Sequence, residues 1–289
     1  MNVLFLTLAR ISDIEERGIY TDLMREFVRH GHTMYIVVPA ERRFHQSTEL
    51  LDDGNVKILR VWTFNIQKTN LIEKGIGTLL LEYQYQKAIQ KYWRNVKFGL
   101  VLYSTPPITF NKIIATMKKK DAKTYLLLKD IFPQNAVDLG MFSKGSFFYR
   151  MFRKKEERLY QLSDYIGCMS PANVDYVLRH NREVDIRRVE VCPNSIELCK
   201  AEEQACPKGA LAQKLNIPTD KILFIYGGNL GRPQGLDFLI EVLAANEKRN
   251  DSFFIIVGSG TEFMKLKMWF DTNTPVSYTH LRAHETLAN

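Results

Sequence analysis

Residues 221–237, KILFIYGGNLGRPQGLD, hold four glycines within nine positions: Gly227, Gly228, Gly231 and Gly235. Arg232 lies among them, and an amphipathic stretch follows at once. Glycine discards the side chain where something must come close to the backbone. A strand end that opens a helix presents free N–H groups and partial positive charge, which suits a phosphate. Arg232 adds a permanent cation with paired donors. A second glycine turn, IIVGSGTE, places Gly258 and Gly260 one strand–helix unit later. The spacing is not the G-x-G-x-x-G of a dinucleotide fingerprint, and no G-K-[ST] of a nucleoside-triphosphate loop is present. Taken alone, such a turn also reads as plain strand-to-helix punctuation.

The other residues with chemical potential stand at strand ends in the N-terminal half. Asp130 closes the run KTYLLLKD and precedes IFP. A carboxylate there is placed to position a hydroxyl or steady a lysine, or simply to cap the next turn. Lys129 favours phosphates, or is a surface lysine. Thr105 precedes Pro106 and Pro107 at another strand end, and Gly18 closes the loop 9–18. His30 and His32 flank Gly31 at a helix stop, where histidines serve as C-terminal caps. Cys168, Cys192, Cys199 and Cys206 match no close-paired zinc spacing and read as reduced structural thiols, so neither metal nor cofactor is expected.

These residues need a scaffold, and the chain alternates apolar runs with helical patterns. NVLFLTL, TMYIVVP, VKILRVW, FGLVLYST, KTYLLLKD, YIGCMS and RVEVCPNS read as strands. Helices are expected over IYTDLMREFVRHGH, around 71–93, over ITFNKIIATMKK, over 146–162 and over ANVDYVLRH. Unbroken apolar strands separated by helices imply parallel strands buried on both faces, a doubly wound sheet. The polar segment 196–220 interrupts the rhythm. A second unit then begins: KILFIYGG, a helix over 235–248, and SFFIIVGSG. The expected division lies near Ser195.

Composition sets the outer bounds. The 289 residues allow two ordinary domains, and 45% hydrophobic with 25% charged residues describes a globular chain. No apolar run approaches the ~18 residues needed to span a bilayer, and the opening lacks the marks of a signal peptide, so a cytoplasmic protein is expected. Residues 57–158 carry 20 basic against 7 acidic side chains, an excess that calls for an anionic partner or is a solvated face. In SFFYRMFRKKEERLYQL, aromatic residues accompany Arg150, Arg153, Lys154 and Lys155, as in a helix lying on acidic lipid or one packed with a charged outer face.

Five segments, in order, resemble those of glycosyltransferase family 4. GNLGRPQGLDFLIE resembles the family's turn opening the donor domain, and LLLKDIFPQNAVDLGM its R-D-L-W-P-x-S-A-x-x-L-G segment. YSTPP resembles its S-S-P-P loop, while MSPANVDYV and CPNSIE resemble its S-x-x-N and P-N-x-x-D stretches. The similarity is greatest to bacterial members that build polyprenyl-linked surface polysaccharides. It implies a GT-B fold: two doubly wound Rossmann-like α/β domains, acceptor-binding over 1–195 and donor-binding over 196–275, the second incomplete. It also implies a retaining transfer of a hexose or N-acetylhexosamine from a nucleoside diphosphate, UDP by expectation, to a polyprenyl-diphosphate-linked sugar. The implied partners are that donor, that acceptor and an acidic membrane surface at the inner face of the plasma membrane, with no nucleic acid.

On this reading Gly228, Asn229, Gly231, Arg232, Gln234, Gly258 and Gly260 hold the donor. Asp130, Lys129 and Arg232 serve the chemistry, and Gly18 and Thr105 line the acceptor side. The chain departs from the family where its usual turn arginine and lysine become Asn229 and Gln234, and where Lys129 stands in place of a histidine. The family's two late glutamates are missing. Residues 276–289, beginning VSYTHLRAHET, fit no expected period and resemble a translated sequencing-library adapter, so they are expected to be a non-native tail on a truncated, inactive chain. Two other functions fit the same fold: a sugar-nucleotide epimerase and a non-catalytic nucleotide-sugar-binding fragment.

Overall fold

The opening apolar run forms β1 (Asn2–Leu6), in which Val3, Leu4, Phe5 and Leu6 are all fully buried. Side chains alternate across a strand. Leu4 and Leu6 therefore enter one apolar cluster, and Val3 and Phe5 enter another on the opposite face. The first face is covered through Leu81 and Tyr85 of α2 (Leu71–Trp93), Ile113 of α3 (Asn111–Lys118), Leu159 of α5 (Phe147–Leu162) and Val177 of α6 (Pro171–His180). Met24 of α1 (Ile19–Arg29) covers the second. A short α4 (Gln134–Asp138) lies between α3 and α5. Two of these helices start on serine caps: Ser146 accepts from the Tyr149 N–H and Ser170 from the Asn173 N–H.

This computed structural model describes residues 1–66, 69, 71–198, 217–247, 249–273 and 278–282, which fall into two compact units, Met1–Leu198 and Cys199–Asn289. In the first unit β1 is joined by β2 (Thr33–Glu41), β3 (Glu49–Asp53), β4 (Val56–Thr63), β5 (Leu100–Ser104), β6 (Lys123–Leu128), β7 (Tyr165–Cys168) and β8 (Val189–Val191). Their order is β3-β4-β2-β1-β5-β6-β7-β8. All pairs are parallel except β3 with β4. The order reverses between β1 and β5, which is where a doubly wound sheet opens its crevice. β4 is the expected strand VKILRVW, and the hairpin partner β3 is an addition to the expected elements. That strand is polar, and Glu49 pairs with Arg60 at 2.8 Å and Asp52 with Lys57 across the ladder. Cross-strand charge pairs of this kind leave no apolar alternation to read.

The second unit holds β9 (Ile222–Asn229), α7 (Leu236–Ala245), β10 (Ser252–Ser259), α8 (Phe263–Asn273) and β11 (Tyr278–Arg282). Its three strands are parallel in the order β11-β10-β9. Residues 278–282, for which no strand was expected, pair with Phe254–Gly258 of β10. Backbone pairing along an open edge asks little of the side chains, so it needs no apolar period. Leu236, Leu243, Phe254, Ile256, Leu266 and Phe270 form the core of this unit. At the other edge Ile222, Leu223, Phe224 and Ile225 of β9 stay exposed, Ile225 at 70%.

Among the described residues no helix is long and apolar enough to cross a membrane. Cys168 and Cys192 are free thiols, and burial pushes the Cys168 thiol up to about 11. Cys199, Cys206 and most of the segments 196–220 and 276–289 lie outside the described residues.

Candidate functional site

In the first unit the carboxyl ends of β1, β5 and β6 converge at the switch point. Thr7, just past β1, and Ser104, ending β5, are buried and share a hydrogen bond of 3.2 Å between their hydroxyls. Thr105 follows, also buried. Its hydroxyl donates to the Asp130 carbonyl at 3.1 Å and accepts from the backbone N–H groups of Lys129 and Asp130 at 3.1 and 3.3 Å. Thr105 therefore works from behind, fixing the corner on which the two candidate residues stand.

Those residues carry charges that find no partner among the described residues. Among the described residues neither the Asp130 carboxylate nor the Lys129 ammonium forms an ion pair or side-chain hydrogen bond. Asp130 is exposed, yet partial desolvation raises its pKa above the ordinary carboxylate range. Lys129 is half-buried and desolvation lowers its pKa, partly offset by the nearby Cys192. Each group is pushed towards neutrality, so a ligand bringing the missing hydrogen bond or charge is favoured.

Tyr20 of α1 completes this corner. Burial raises the pKa of its phenol, the nearby Ser104 hydroxyl lowers it, and the Asp130 charge raises it again. Its ring packs on Phe5 at 5.2 Å. Tyr20 and Ser104 were missed in the sequence; the signals available were a tyrosine two residues after Gly18 and a serine directly before Thr105. Gly18 itself caps α1. Its N–H donates to Asp22 Oδ1 at 3.0 Å, so that donor already serves the fold. Asp22 is in turn gripped by Arg25 at 2.5 Å and by the Glu197 N–H at 2.8 Å. The bonds from the Gly18 and Glu197 backbones, ahead of the Arg25 bond, hold the Asp22 carboxyl below its ordinary pKa.

In the second unit all seven donor candidates meet at the ends of β9 and β10. A Cβ on Gly258 would collide with the Gly228 carbonyl, and one on Gly260 with the Leu230 backbone. The Leu230 N–H donates to the Ser259 carbonyl at 2.9 Å, and the Glu262 N–H to the Leu230 carbonyl at 2.9 Å. Close packing of the two turns is thus a sufficient reason for glycine at 258 and 260. At Gly231 a Cβ would lie 2.8 Å from Asn229 Nδ2, which donates across it to Gln234 Oε1 at 3.2 Å. Gly235, at φ 64°, makes the left-handed entry to α7.

Gly227 and Gly228 differ from these. A Cβ on Gly227 would meet nothing within 4 Å, and one on Gly228 only the Tyr226 hydroxyl at 4.0 Å. Internal packing does not account for glycine at either position, but at Gly228 the backbone, at φ 159°, already favours it, so Gly227 alone lacks an internal reason. Arg232, exposed in the short 3-10 turn Arg232–Gln234, has no ion-pair partner among the described residues. Asp237, the one acidic residue in the first turn of α7, is neutralised by Lys265. The N-terminal end of α7 therefore stays electropositive beside two bare glycines and a free guanidinium, an arrangement suited to phosphate.

The expected lipid-facing helix is α5. Phe147 and Phe148 are exposed, at 68% and 58%, with Arg150 and Lys154 also exposed. Two neighbours point elsewhere. Phe152 packs on Phe132 at 5.0 Å, and Arg153 is tied to Glu156 at 2.6 Å, Asn181 at 2.6 Å and the His180 carbonyl at 2.8 Å. Arg153 is a structural clamp of this unit.

No family model matches the chain. Among curated proteins it is similar to "Probable glycosyltransferase WbjE" of Pseudomonas aeruginosa, 29% identical over 204 residues, which are 67% of this chain and 47% of that protein. It is also similar to "Putative colanic acid biosynthesis glycosyl transferase WcaI" of Escherichia coli K12, 29% identical over 154 residues, 50% of this chain and 35% of that protein. The chain thus matches less than half the length of either relative. Among solved structures, that of trehalose-6-phosphate from E. coli bound with UDP-2-fluoro glucose superposes with a TM-score of 0.67 at 11% identity, covering 97% of this chain and 73% of that one. The fold is GT-B-like, two Rossmann-like α/β units.

Proposed function

We propose that the chain is the acceptor-binding and part of the donor-binding region of a retaining family 4 glycosyltransferase. The donor is a nucleoside-diphosphate sugar, a UDP-sugar on the analogy of the ligand in the trehalose-6-phosphate structure. The acceptor is a polyprenyl-diphosphate-linked sugar, and the product belongs to surface polysaccharide synthesis, in keeping with the colanic acid relative's name. One observation carries the reading: Gly227 has neither a packing nor a backbone reason to be glycine, and with Gly228 it adjoins Arg232, which has no ion-pair partner among the described residues, at the start of α7.

As the bond from the sugar's anomeric carbon to the diphosphate oxygen breaks, negative charge grows on the diphosphate. The backbone N–H groups of Gly231 and Arg232, the first turn of α7, the Arg232 guanidinium and the amides of Asn229 and Gln234 are suited to take up that charge. Asp130, lacking a partner of its own, accepts a hydrogen bond from the acceptor hydroxyl, and Lys129 attends an anionic group. Exposed Phe147 and Phe148 with Arg150 and Lys154 give α5 the character of a helix resting on acidic lipid at the cytoplasmic face of the membrane.

Calorimetric titration with UDP tests the donor assignment. Arg232→Ala is expected to weaken binding by about 1.5–3 kcal/mol, as for a charge-assisted hydrogen bond, without altering the far-ultraviolet circular dichroism. Equal affinity of the variant and the parent chain overturns the role of the turn.

A further inference from the structure

A second set of cations stands at the same sheet edge of the first unit as Thr105 and Asp130, beyond the ends of β1 and β2. Phe44 belongs to the 3-10 turn Arg42–Phe44 and is exposed. Two guanidiniums lie on its ring: Arg10 at 4.5 Å from the centroid and Arg43 at 4.8 Å. The turn is pinned by the Arg43 N–H donating to Asn65 Oδ1 at 2.9 Å, and it ends on His45 in the left-handed region at φ 53°. A non-glycine residue there needs a surround that holds it.

Against this turn lies a cavity of about 90 Å³ lined by Arg10, Ser12, Phe44, Gln46 and Arg60, among others, with no carboxylate in its wall. The charges around it do not cancel. Arg60 is paired with Glu49 at 2.8 Å and also donates to the Ser12 carbonyl at 3.2 Å, which shapes the loop 9–18. Arg43 faces Glu41 at 3.2 Å. Arg10 has no acidic partner among the described residues, and the Phe44 ring orients it. A volume of about 90 Å³ is ample for several ordered waters. It has room for one phosphoryl or carboxylate group. An aromatic-held guanidinium is already ordered for such an oxyanion, so less freedom is lost on binding.

We infer that this pocket is an oxyanion subsite, with Arg10 as the primary contact and Phe44 as its positioning residue, and that it receives a compact anionic group of the acceptor. The identity of the acceptor rests on the glycosyl-transfer reading; the anion site itself does not.

The test uses the full 289-residue chain carrying Arg232→Ala, so that the donor turn contributes little, and titrates it at low salt with inorganic pyrophosphate and, separately, with glucuronate. Saturable binding of one probe is expected, weakened about tenfold by Arg10→Gln, less by Phe44→Leu, and weakened by added sodium chloride. Tighter pyrophosphate assigns the group as phosphoryl, and tighter glucuronate as the carboxylate of an acidic sugar. Arg10 is exposed and unpaired, so its replacement leaves folding intact. Absence of binding by both probes, or binding unchanged by Arg10→Gln, overturns the subsite. If instead Arg232→Ala leaves UDP affinity unchanged while the Arg10 effect persists, the donor assignment fails and the subsite stands.

Discussion

At the scale of single residues, glycines that look alike in the sequence have different reasons to be glycine. A methyl group on residue 260 would sit inside the Leu230 backbone, whereas one on residue 227 would meet nothing. Gly260→Ala is therefore expected to destabilise the second unit by about 1–3 kcal/mol, the usual range for overpacking. Gly227→Ala should stay within about 0.5 kcal/mol of the parent in stability, as at an open surface position. Yet it should lower UDP affinity, because the added carbon stands where a phosphate would approach. Thermal melts and UDP titrations on the two variants check the contrast. Equal effects on stability would mean that the two turns do not pack as described. Thr105 teaches the same lesson in the first unit: a hydroxyl expected to face substrate holds the backbone beneath Asp130 instead.

At the scale of elements, the start of α1 is held by charge. Asp22 accepts from Gly18, Glu197 and Arg25, and its carboxyl is lowered in the folded state. A lowered folded pKa contributes stability that is full above the unfolded carboxylate value, about 3.9, and is lost as pH falls through the folded one. Asp22→Asn should cost about 1.5–3 kcal/mol at neutral pH, as for hydrogen bonds to a charged group, because Arg25 loses this carboxylate but keeps Glu197 at 3.0 Å. The gap between parent and variant should narrow steadily below about pH 4. Urea melts at pH 7, 4 and 3 measure it; a gap independent of pH would remove the charge from the account. For α5 the arrangement is the reverse, with apolar side chains outward. Phe147→Ser with Phe148→Ser should reduce binding to vesicles containing acidic phospholipid, and Arg150→Gln with Lys154→Gln should reduce its salt sensitivity. Arg153→Gln should instead lower stability, because its bonds run to Glu156 and Asn181. Co-sedimentation with neutral and acidic vesicles separates these outcomes, and equal binding to both would reject the lipid-facing role.

At the scale of the molecule, the two units differ in how completely their sheets are covered. In the first, β1 is buried on both faces between two apolar clusters. In the second, β9 leaves Ile222, Leu223, Phe224 and Ile225 exposed beside a smaller core. Burial of apolar surface is the main source of stability, so the second unit should open first. Hydrogen exchange followed by mass spectrometry is expected to show β9 and β10 amides exchanging well before those of β1, β5 and β6. Simultaneous exchange would mean that the two units unfold as one.

What could be read from the sequence was whatever repeats locally. The apolar runs of β1, β2, β5, β6, β9 and β10 announce parallel strands because a strand covered on both faces needs no polar side. The glycine cluster at 227–235 and the Lys129–Asp130 pair stand at strand ends, and the topology puts ligands there. What the tertiary structure decided was which of these residues are free. Gly258 and Gly260 face the β9 turn, Gly18 gives its N–H to Asp22, and Arg153 turns inward to Glu156. It also brought Tyr20 to Ser104 and Asp130, and Arg10 to Phe44, across stretches of chain that carry no common period. Periodicity reports which face of an element is buried; only the packing of distant segments settles which polar atoms remain without a partner.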